Sequence, residues 1–218
     1  MGFSGSSWWR EKWAWENVKN VINTLPGRLG FSEGNELRFF RLRLSLADGS
    51  VYDEILERYL TDREKYGLYF ILTQYAKAEK DVGEYNEPLP LTRICPAIHC
   101  PLLKRNTKAF EVVFGYEPEL LYKAAEPFEY IPVDYGDAAV KIYVLPRVPI
   151  TIGVWAGEEG IPPSTTILFD KSITNYLDCE AATTLAGASL ARLIISLSKR
   201  GASLGKVDYK YCYACSEG

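Results

Sequence analysis

The stretch from Leu145 to Leu177 constrains the fold more than any other part of the sequence. In its first half, Ile150, Ile152 and Val154 alternate with Thr151, Gly153 and Trp155. A second short apolar run covers Thr166 to Phe169. An alternation with a period of two indicates strands with one buried face. The connection between the two runs contains glycines and prolines, which do not simply extend a β ladder. We therefore predict a β-hairpin here.

The same stretch contains an ordered set of short motifs: LPRxP, a tryptophan followed by an acidic pair, PPSxxILFDKS, and a tyrosine-leucine pair. In this order they resemble an uncharacterised family, domain-of-unknown-function family 3786. The resemblance is clearest over Leu145 to Leu177 and continues upstream to about Tyr59. It implies relatives in anaerobic bacteria and archaea, some of them joined to a segment that binds an iron–sulfur cluster, and so hints at redox or one-carbon metabolism. The cluster-binding segment is not found in this sequence.

The composition is typical of a soluble globular protein. The chain has 218 residues, of which 47% are hydrophobic and 24% charged, and we expect a single domain over residues 1–218. A net charge of −3 and a pI near 5.4 indicate no excess of basic residues. Nucleic acids and anionic membranes are therefore poor candidate partners. We find no apolar core of a signal peptide and no run approaching the length of a membrane span. A cytoplasmic location is therefore expected.

The remaining patterns predict helices that flank separate hairpins. Serines precede an N-terminal helix, Thr61 and Glu64 form a capping box, and Asp178 can cap a long helix with an apolar face. A change of phase between Phe39 and Leu42 indicates a β-bulge, and Asp48-Gly49 marks a turn. The predicted elements include helices 8–25, 102–114, 117–125 and one after 178, a strand 139–144, and an edge strand 207–215. This arrangement predicts an α+β fold with a mainly antiparallel sheet and helices packed on it.

Two tryptophans in the N-terminal helix are a candidate interface. At 100° per residue, Trp9 and Trp13 lie opposite the apolar face, among charged and polar residues. Tryptophan is enriched at the centres of protein interfaces, so the pair can mark a partner surface or a homo-oligomer contact. The alternative is that another part of the same chain covers both indoles.

The cysteines are a candidate metal site. Cys212 and Cys215 have C-x-x-C spacing, and Cys95 and Cys100 bracket the single histidine, His99. Four thiolates could hold zinc or an iron–sulfur cluster. The alternatives are reduced thiols or a disulfide between Cys212 and Cys215. Because His99 is the one histidine, a catalytic serine or cysteine triad would have to use it as the base. A role for His99 as a local turn residue or a surface histidine is favoured.

Charged residues of the hairpin form the candidate catalytic and ligand-binding group. Glu158 and Glu159 lie in its turn, and Asp170 follows its second strand. Two carboxylates held close together can raise one pKa and serve acid–base chemistry or bind a cation. The alternative is a solvated turn, with Asp170 capping a helix that starts near Ser172. The neighbouring candidate ligand-binding residues are Arg147, Trp155, Glu158, Lys171 and Tyr176, and the resemblance marks Trp155, Glu159, Asp170 and Tyr176 as motif positions.

Three functions follow from these patterns. We rank first a non-enzymatic ligand-binding or accessory role in anaerobic or archaeal metabolism, because the sequence lacks a complete catalytic constellation. An enzyme that uses Glu159 and Asp170 is second, and an interaction module built on Trp9 and Trp13 is third. The corresponding partner is an unknown small molecule or a protein.

Overall fold

The computed structural model describes residues 5–95 and 101–202, together with Leu204 and Val207. Within this part of the chain, helices pack on two sheets that are both entirely antiparallel, which confirms the predicted α+β class. Most of the predicted tail strand lies outside the described residues. The helices are α1 Gly5–Lys12, α2 Trp15–Ile22, α3 Asp62–Ala76, α4 Leu91–Ile94, α5 Pro101–Phe114, α6 Leu120–Ala125, α7 Ile173–Tyr176 and α8 Cys179–Lys199.

The first sheet is a meander of four short strands in the order β1-β2-β3-β4. The prediction of a bulge is wrong, because Phe40 and Arg41 form a two-residue turn between a strand that ends at Phe39 and one that begins at Leu42. Both turn residues have positive φ, 47° and 59°, a conformation that non-glycine residues adopt at a cost. The strands are β1 Glu36–Phe39, β2 Leu42–Ser45, β3 Val51–Asp53 and β4 Arg58–Tyr59.

The second sheet has five strands in the order β5-β9-β8-β7-β6. Its centre is the hairpin of β8 and β9, in which Trp155 pairs with Ser164 and Ile150 pairs with Phe169, so the predicted hairpin is confirmed. Prolines occupy both edge strands, where a missing N–H donor is tolerated. The strands are β5 Pro88–Pro90, β6 Ile131–Pro132, β7 Ala138–Leu145, β8 Val148–Trp155 and β9 Ser164–Asp170.

The two faces of the second sheet have different surroundings. Alternate residues such as Val140, Ile142, Ile150 and Ile152 are fully buried in the hydrophobic core, on the side where α6 contacts β7 and α5 contacts β9. On the opposite face, Lys141, Thr151 and Trp155 are partly or well exposed, whereas Ala139, Pro149 and Gly153 of the same strands are buried. This opposite side is called the outer sheet face below.

Helix α8 is the central element of the core and packs against α3, α5 and α6. Its N-cap is the predicted one, since the Asp178 carboxylate accepts a hydrogen bond from the Ala181 N–H at 2.8 Å. By length and apolar composition α8 could cross a membrane, which corrects the expectation that no run approaches a span. However, 94% of its most apolar window is buried inside the fold, as expected for the core helix of a folded protein.

The N-terminal arm differs from its prediction in a way that places both candidate interface tryptophans in the core. Helices α1 and α2 are separate, because the chain breaks at Trp13 and Ala14, and the break changes the direction in which the first helix points its side chains. Trp9 and Trp13 are only 9% and 7% exposed. Both rings pack against Phe70 of α3, with centroids 6.2 and 4.8 Å away. The interface prediction is therefore corrected, and the same chain covers the pair.

An ion pair inside the core joins α8 to the first sheet. The Arg192 Nη1 donates to the Asp53 carboxylate at 2.6 Å, and Nη2 donates to the Phe40 carbonyl at 2.9 Å. The two side chains are 2% and 0% exposed. Asp53 also accepts the backbone N–H groups of Ile55 and Leu56 at 2.9 and 3.1 Å. Each charge thus has its counter-charge and further hydrogen bonds, as a buried ion pair needs.

Replacement of Arg192 by methionine should destabilise the protein strongly. The change leaves the Asp53 carboxylate buried without its cation, which costs roughly 3–5 kcal/mol. Urea denaturation followed by circular dichroism measures the loss. The matched control is Arg38→Met, which removes an arginine whose pair with Glu36 lies at the surface and should change stability by less than about 1 kcal/mol. Equal midpoints for the two variants would contradict the role assigned to Arg192.

Candidate functional site

The two carboxylates of the predicted catalytic pair lie at opposite ends of the hairpin. Glu159 belongs to the exposed connection that follows Trp155, whereas Asp170 is the last residue of β9 and pairs with Pro88. At about 3.3 Å per residue, the strand from Ser164 to Asp170 alone separates them by roughly 20 Å. The prediction that Glu159 and Asp170 lie close together is therefore wrong. A hairpin brings together residues at the same level of its two strands, and it does not bring its turn next to its base.

Asp170 anchors the backbone of neighbouring segments. Its buried carboxylate accepts the N–H groups of Tyr85, Glu87 and Ser172 at 2.9, 3.0 and 2.9 Å. Desolvation by burial acts to raise the pKa of Asp170, but the hydrogen bonds from Ser172, Tyr85 and Glu87 outweigh it and the pKa is lowered. An ionised, fully hydrogen-bonded carboxylate is a poor proton donor or acceptor near neutral pH. Asp170 therefore ties segments of backbone together; it does not cap α7, whose N-cap is Ser172 and which has no side-chain cap hydrogen bond.

Replacement of Asp170 by asparagine should destabilise the fold by about 1–3 kcal/mol, because the amide turns an N–H donor toward groups that need an acceptor. Urea titrations at several pH values test this. Since the folded pKa is depressed, the carboxylate contributes fully above its ordinary pKa of 3.8, and the contribution is lost as the pH falls through the folded value. The control is Glu159→Gln on the exposed turn, with an expected change within about 0.5 kcal/mol. Wild-type stability of the Asp170 variant would contradict the anchoring role.

Arg147 and Tyr176, both predicted to bind a ligand, meet at a different carboxylate, that of Asp81. The Arg147 Nε lies 2.9 Å from both Asp81 oxygens, and the Tyr176 hydroxyl donates to one of them at 3.0 Å. The Arg147 side chain is the main reason why the pKa of Asp81 is lowered. The Tyr176 hydroxyl in turn accepts the Val82 N–H at 3.0 Å. This network holds the segment after α3 against the base of the hairpin.

The other predicted ligand-binding residues are at the surface and apart from that network. Lys171 forms an exposed ion pair with Glu87 at 2.9 Å. Glu158 closes the turn through backbone hydrogen bonds with Ile161. Trp155 is 45% exposed, and its Nε1 donates to the Thr166 hydroxyl at 3.3 Å. The structure does not bring these side chains together around one ligand.

The cysteines within the described ranges form a disulfide. Cys95, which follows α4, is bonded to Cys179 in the first turn of α8, with Cα atoms 5.5 Å apart and a sequence separation of 84. A sulfur in this bond is not a thiolate ligand, so the structure corrects the inclusion of Cys95 in the metal site. Cys100, Cys212, Cys215 and His99 lie outside the described residues. Among residues 5–95 and 101–202, no group of three or more histidine, cysteine or acidic side chains could hold a metal ion.

A cavity of about 270 Å³ lies on the outer sheet face and is called the sheet-face pocket here. Lys141, Thr151 and Leu168 form part of its lining as neighbours in register across β7, β8 and β9. The remaining lining residues come from the sheet and from two flanking segments. They are Asn86, Pro88, Val133, Asp134, Tyr135, Pro149, Phe169 and Asp170. Apolar side chains dominate this lining.

Lys141 supplies a positive charge in the sheet-face pocket. Its Nζ donates to the Glu84 carboxylate at 2.6 Å, and the Tyr143 hydroxyl also donates to Glu84. Burial alone would lower the pKa of Lys141, but the hydrogen bond and the charge of Glu84 outweigh burial and raise it. Lys141 is therefore an ammonium at neutral pH. An ammonium has three N–H donors, so a bound anion can share it with Glu84.

Sequence reasoning did not select Lys141, Thr151 or Leu168 as site residues. Leu168 lies in the PPSxxILFDKS motif, but for Lys141 and Thr151 the only sequence signal is the alternation along β7 and β8. This alternation gives the face of each side chain but not the segments that border that face. Asn86, Pro88 and the 133–135 segment come from distant parts of the chain. The position of Asn86 and Pro88 depends on the Asp170 hydrogen bonds to Tyr85 and Glu87, and the Val133 N–H donates to the Ala139 carbonyl at 3.2 Å. The sequence pattern does not show these contacts.

The chain matches one family model, described as Domain of unknown function (DUF3786), over residues 45–192. The chain belongs to this family. The matched residues include the whole lining of the sheet-face pocket and the Arg192–Asp53 ion pair, and exclude Trp9 and Trp13. No curated protein and no solved structure matches the chain. The resemblance of the hairpin motifs to this family is thus confirmed, and the known family description assigns no activity.

Proposed function

We propose that the protein binds a small molecule in the sheet-face pocket and serves as a binding or accessory protein. The single observation that supports this most is the combination of an apolar lining and one ammonium, that of Lys141, in a cavity on the outer sheet face. Ligand sites are mostly apolar concavities in which a few polar groups fix orientation. The sheet-face pocket has this character.

The lining defines the class of ligand. Pro88, Pro149 and Leu168 offer flat apolar contacts, and Lys141 offers a cation beside them. A volume of about 270 Å³ is slightly below the usual range of roughly 300–1,000 Å³ for small-molecule sites. The proposed ligand is therefore a compact, mainly apolar or aromatic molecule that carries an anionic group such as a carboxylate.

The setting is also part of the proposal. The resemblance to the DUF3786 family implies relatives in anaerobic bacteria and archaea, so an accessory role in anaerobic or archaeal metabolism is proposed, in the cytoplasm. An acid–base enzyme built on Glu159 and Asp170 is not supported, because these two carboxylates lie at opposite ends of the hairpin.

The aromatic sulfonate 1-anilinonaphthalene-8-sulfonate is a suitable probe, because it combines an apolar body with an anion and becomes fluorescent in apolar sites. The Leu168→Trp substitution should abolish the fluorescence increase by filling the pocket. Lys141→Met should weaken binding roughly tenfold, which corresponds to about 1.4 kcal/mol for one charge-assisted contact. Fluorescence titration of the folded protein measures both effects.

Two matched substitutions serve as controls. Lys65→Met removes a lysine that pairs with Asp62 on α3, and Tyr59→Trp adds an indole at an exposed position in β4. Both should bind the probe as the wild-type protein does. If Leu168→Trp and Lys141→Met also bind like wild type while circular dichroism shows an intact fold, the ligand site is elsewhere and the proposal fails.

A further inference from the structure

We propose that the turn end of the β8–β9 hairpin is a docking surface for a basic, partly apolar segment of another protein. This surface, called the hairpin tip, consists of residues 115–119, 133–137 and 155–163. The first segment follows α5, the second precedes β7, and the third connects β8 to β9. The inference does not depend on the proposed small-molecule function.

Specific contacts fix the three segments to one another. The Gly157 N–H donates to the Gly115 carbonyl at 2.8 Å, and the Ala156 N–H donates to the Asp137 carboxylate at 2.7 Å. A Cβ on Gly157 would lie 2.8 Å from atoms of both Pro163 and Tyr116, so the chain passes too closely here for a side chain. The hairpin tip is therefore a preformed surface, which reduces the entropy lost when a partner binds.

Large apolar side chains protrude from this surface. Tyr116 and Ile161 are 69% and 61% exposed, and Trp155 is 45% exposed. The Tyr135 ring lies edge-on to Trp155, with centroids 5.8 Å apart. Val112, which lies in α5 four residues before Tyr116, is also exposed. Exposed apolar side chains clustered in this way mark interaction sites, and tyrosine and tryptophan are enriched among the residues that dominate binding energy.

The charge of the hairpin tip selects the partner. Its three segments contain acidic residues and no lysine or arginine. The acidic residues are Glu117, Glu119, Asp134, Asp137, Glu158 and Glu159. Carboxylates around exposed rings attract lysine and arginine, and the indole face adds a cation–π attraction. The chemistry that fits is a segment with basic and apolar side chains.

Other occupants fit less well. A symmetric dimer through this surface would place acidic residues against acidic residues, which disfavours a second copy of the chain. A metal ion needs converging ligands, and in the part of the chain that the structure describes no group of three or more acidic, histidine or cysteine side chains provides them.

Binding of a fluorescein-labelled peptide of leucine and lysine to the full chain, followed by fluorescence anisotropy, tests the inference. Trp155→Ser should weaken binding at least roughly tenfold, as expected for an interface anchor. The triple variant Glu117→Gln, Glu158→Gln and Glu159→Gln should weaken it by a similar factor, and the loss should shrink at high salt. A peptide of leucine and glutamate should not bind.

Matched controls separate a local surface from general charge attraction. Trp8→Ser removes another exposed tryptophan, and Glu33→Gln with Glu57→Gln and Glu79→Gln removes the same charge from exposed positions elsewhere. Both should bind the peptide like wild type, as should Lys141→Met, which tests only the sheet-face pocket. Equal losses in the control and tip variants would overturn the inference. A dimer in sedimentation analysis that Trp155→Ser dissociates would overturn it in favour of a second copy.

Discussion

The buried ion pair between Arg192 and Asp53 is the contact on which the position of the first sheet against the central helix depends. It holds the centre of α8 to the last residue of β3. The same guanidinium also donates a hydrogen bond to the Phe40 carbonyl, and the two contacts together fix its position. Its carbon lies 5.1 and 5.8 Å from the ring centroids of Phe40 and Phe128. A desolvated charge is tolerated only with a counter-charge and hydrogen bonds of this kind. The contact therefore fixes the register between α8 and the first sheet.

The strained turn at Phe40 and Arg41 is explained by this contact. A type of turn that favours glycine and asparagine instead carries two bulky residues with positive φ. The Phe40 ring packs 4.6 Å from Phe128, and its carbonyl receives the Arg192 hydrogen bond. Strain of this kind persists where surrounding contacts determine the backbone. The turn thus joins the first sheet to the central helix.

With the helices gathered around α8, the second sheet buries one face and leaves the other for function. The segment after α3 reaches that outer face, where Glu84 meets Lys141, because Arg147 and Tyr176 hold Asp81 and Asp170 holds Tyr85 and Glu87. Residues selected from the sequence as ligand-binding or catalytic thus position the border of the sheet-face pocket. Their motif positions are structural in this account.

Local patterns predicted local structure well. The β8–β9 hairpin, the Asp48-Gly49 turn, the Thr61 capping box and the Asp178 N-cap all depend on residues close in sequence, and all are present. Predictions failed where contacts are distant. The Cys95–Cys179 bond spans 84 residues, and Trp9 and Trp13 are covered by Phe70.

The candidate site was less accessible to sequence reasoning than the fold. Glu159 and Asp170 were selected because two carboxylates held close together suit acid–base chemistry. However, residues of one motif can lie at opposite ends of a hairpin. Lys141 lies in no motif and Leu168 is one apolar residue within PPSxxILFDKS, so only the register of three strands shows that they are neighbours. A single arginine within the apolar α8 was the one signal for the core ion pair, since a lone charge in a buried helix requires a partner.

The most direct test of the claim that the outer sheet face binds a ligand is methyl NMR of the labelled protein during titration with 1-anilinonaphthalene-8-sulfonate. The account predicts saturable shifts of the Val133, Thr151 and Leu168 methyl groups and no change at Leu190 and Leu193 in the core of α8. Shifts confined to α8 or to the first sheet, with Thr151 and Leu168 unchanged at saturation, would contradict it.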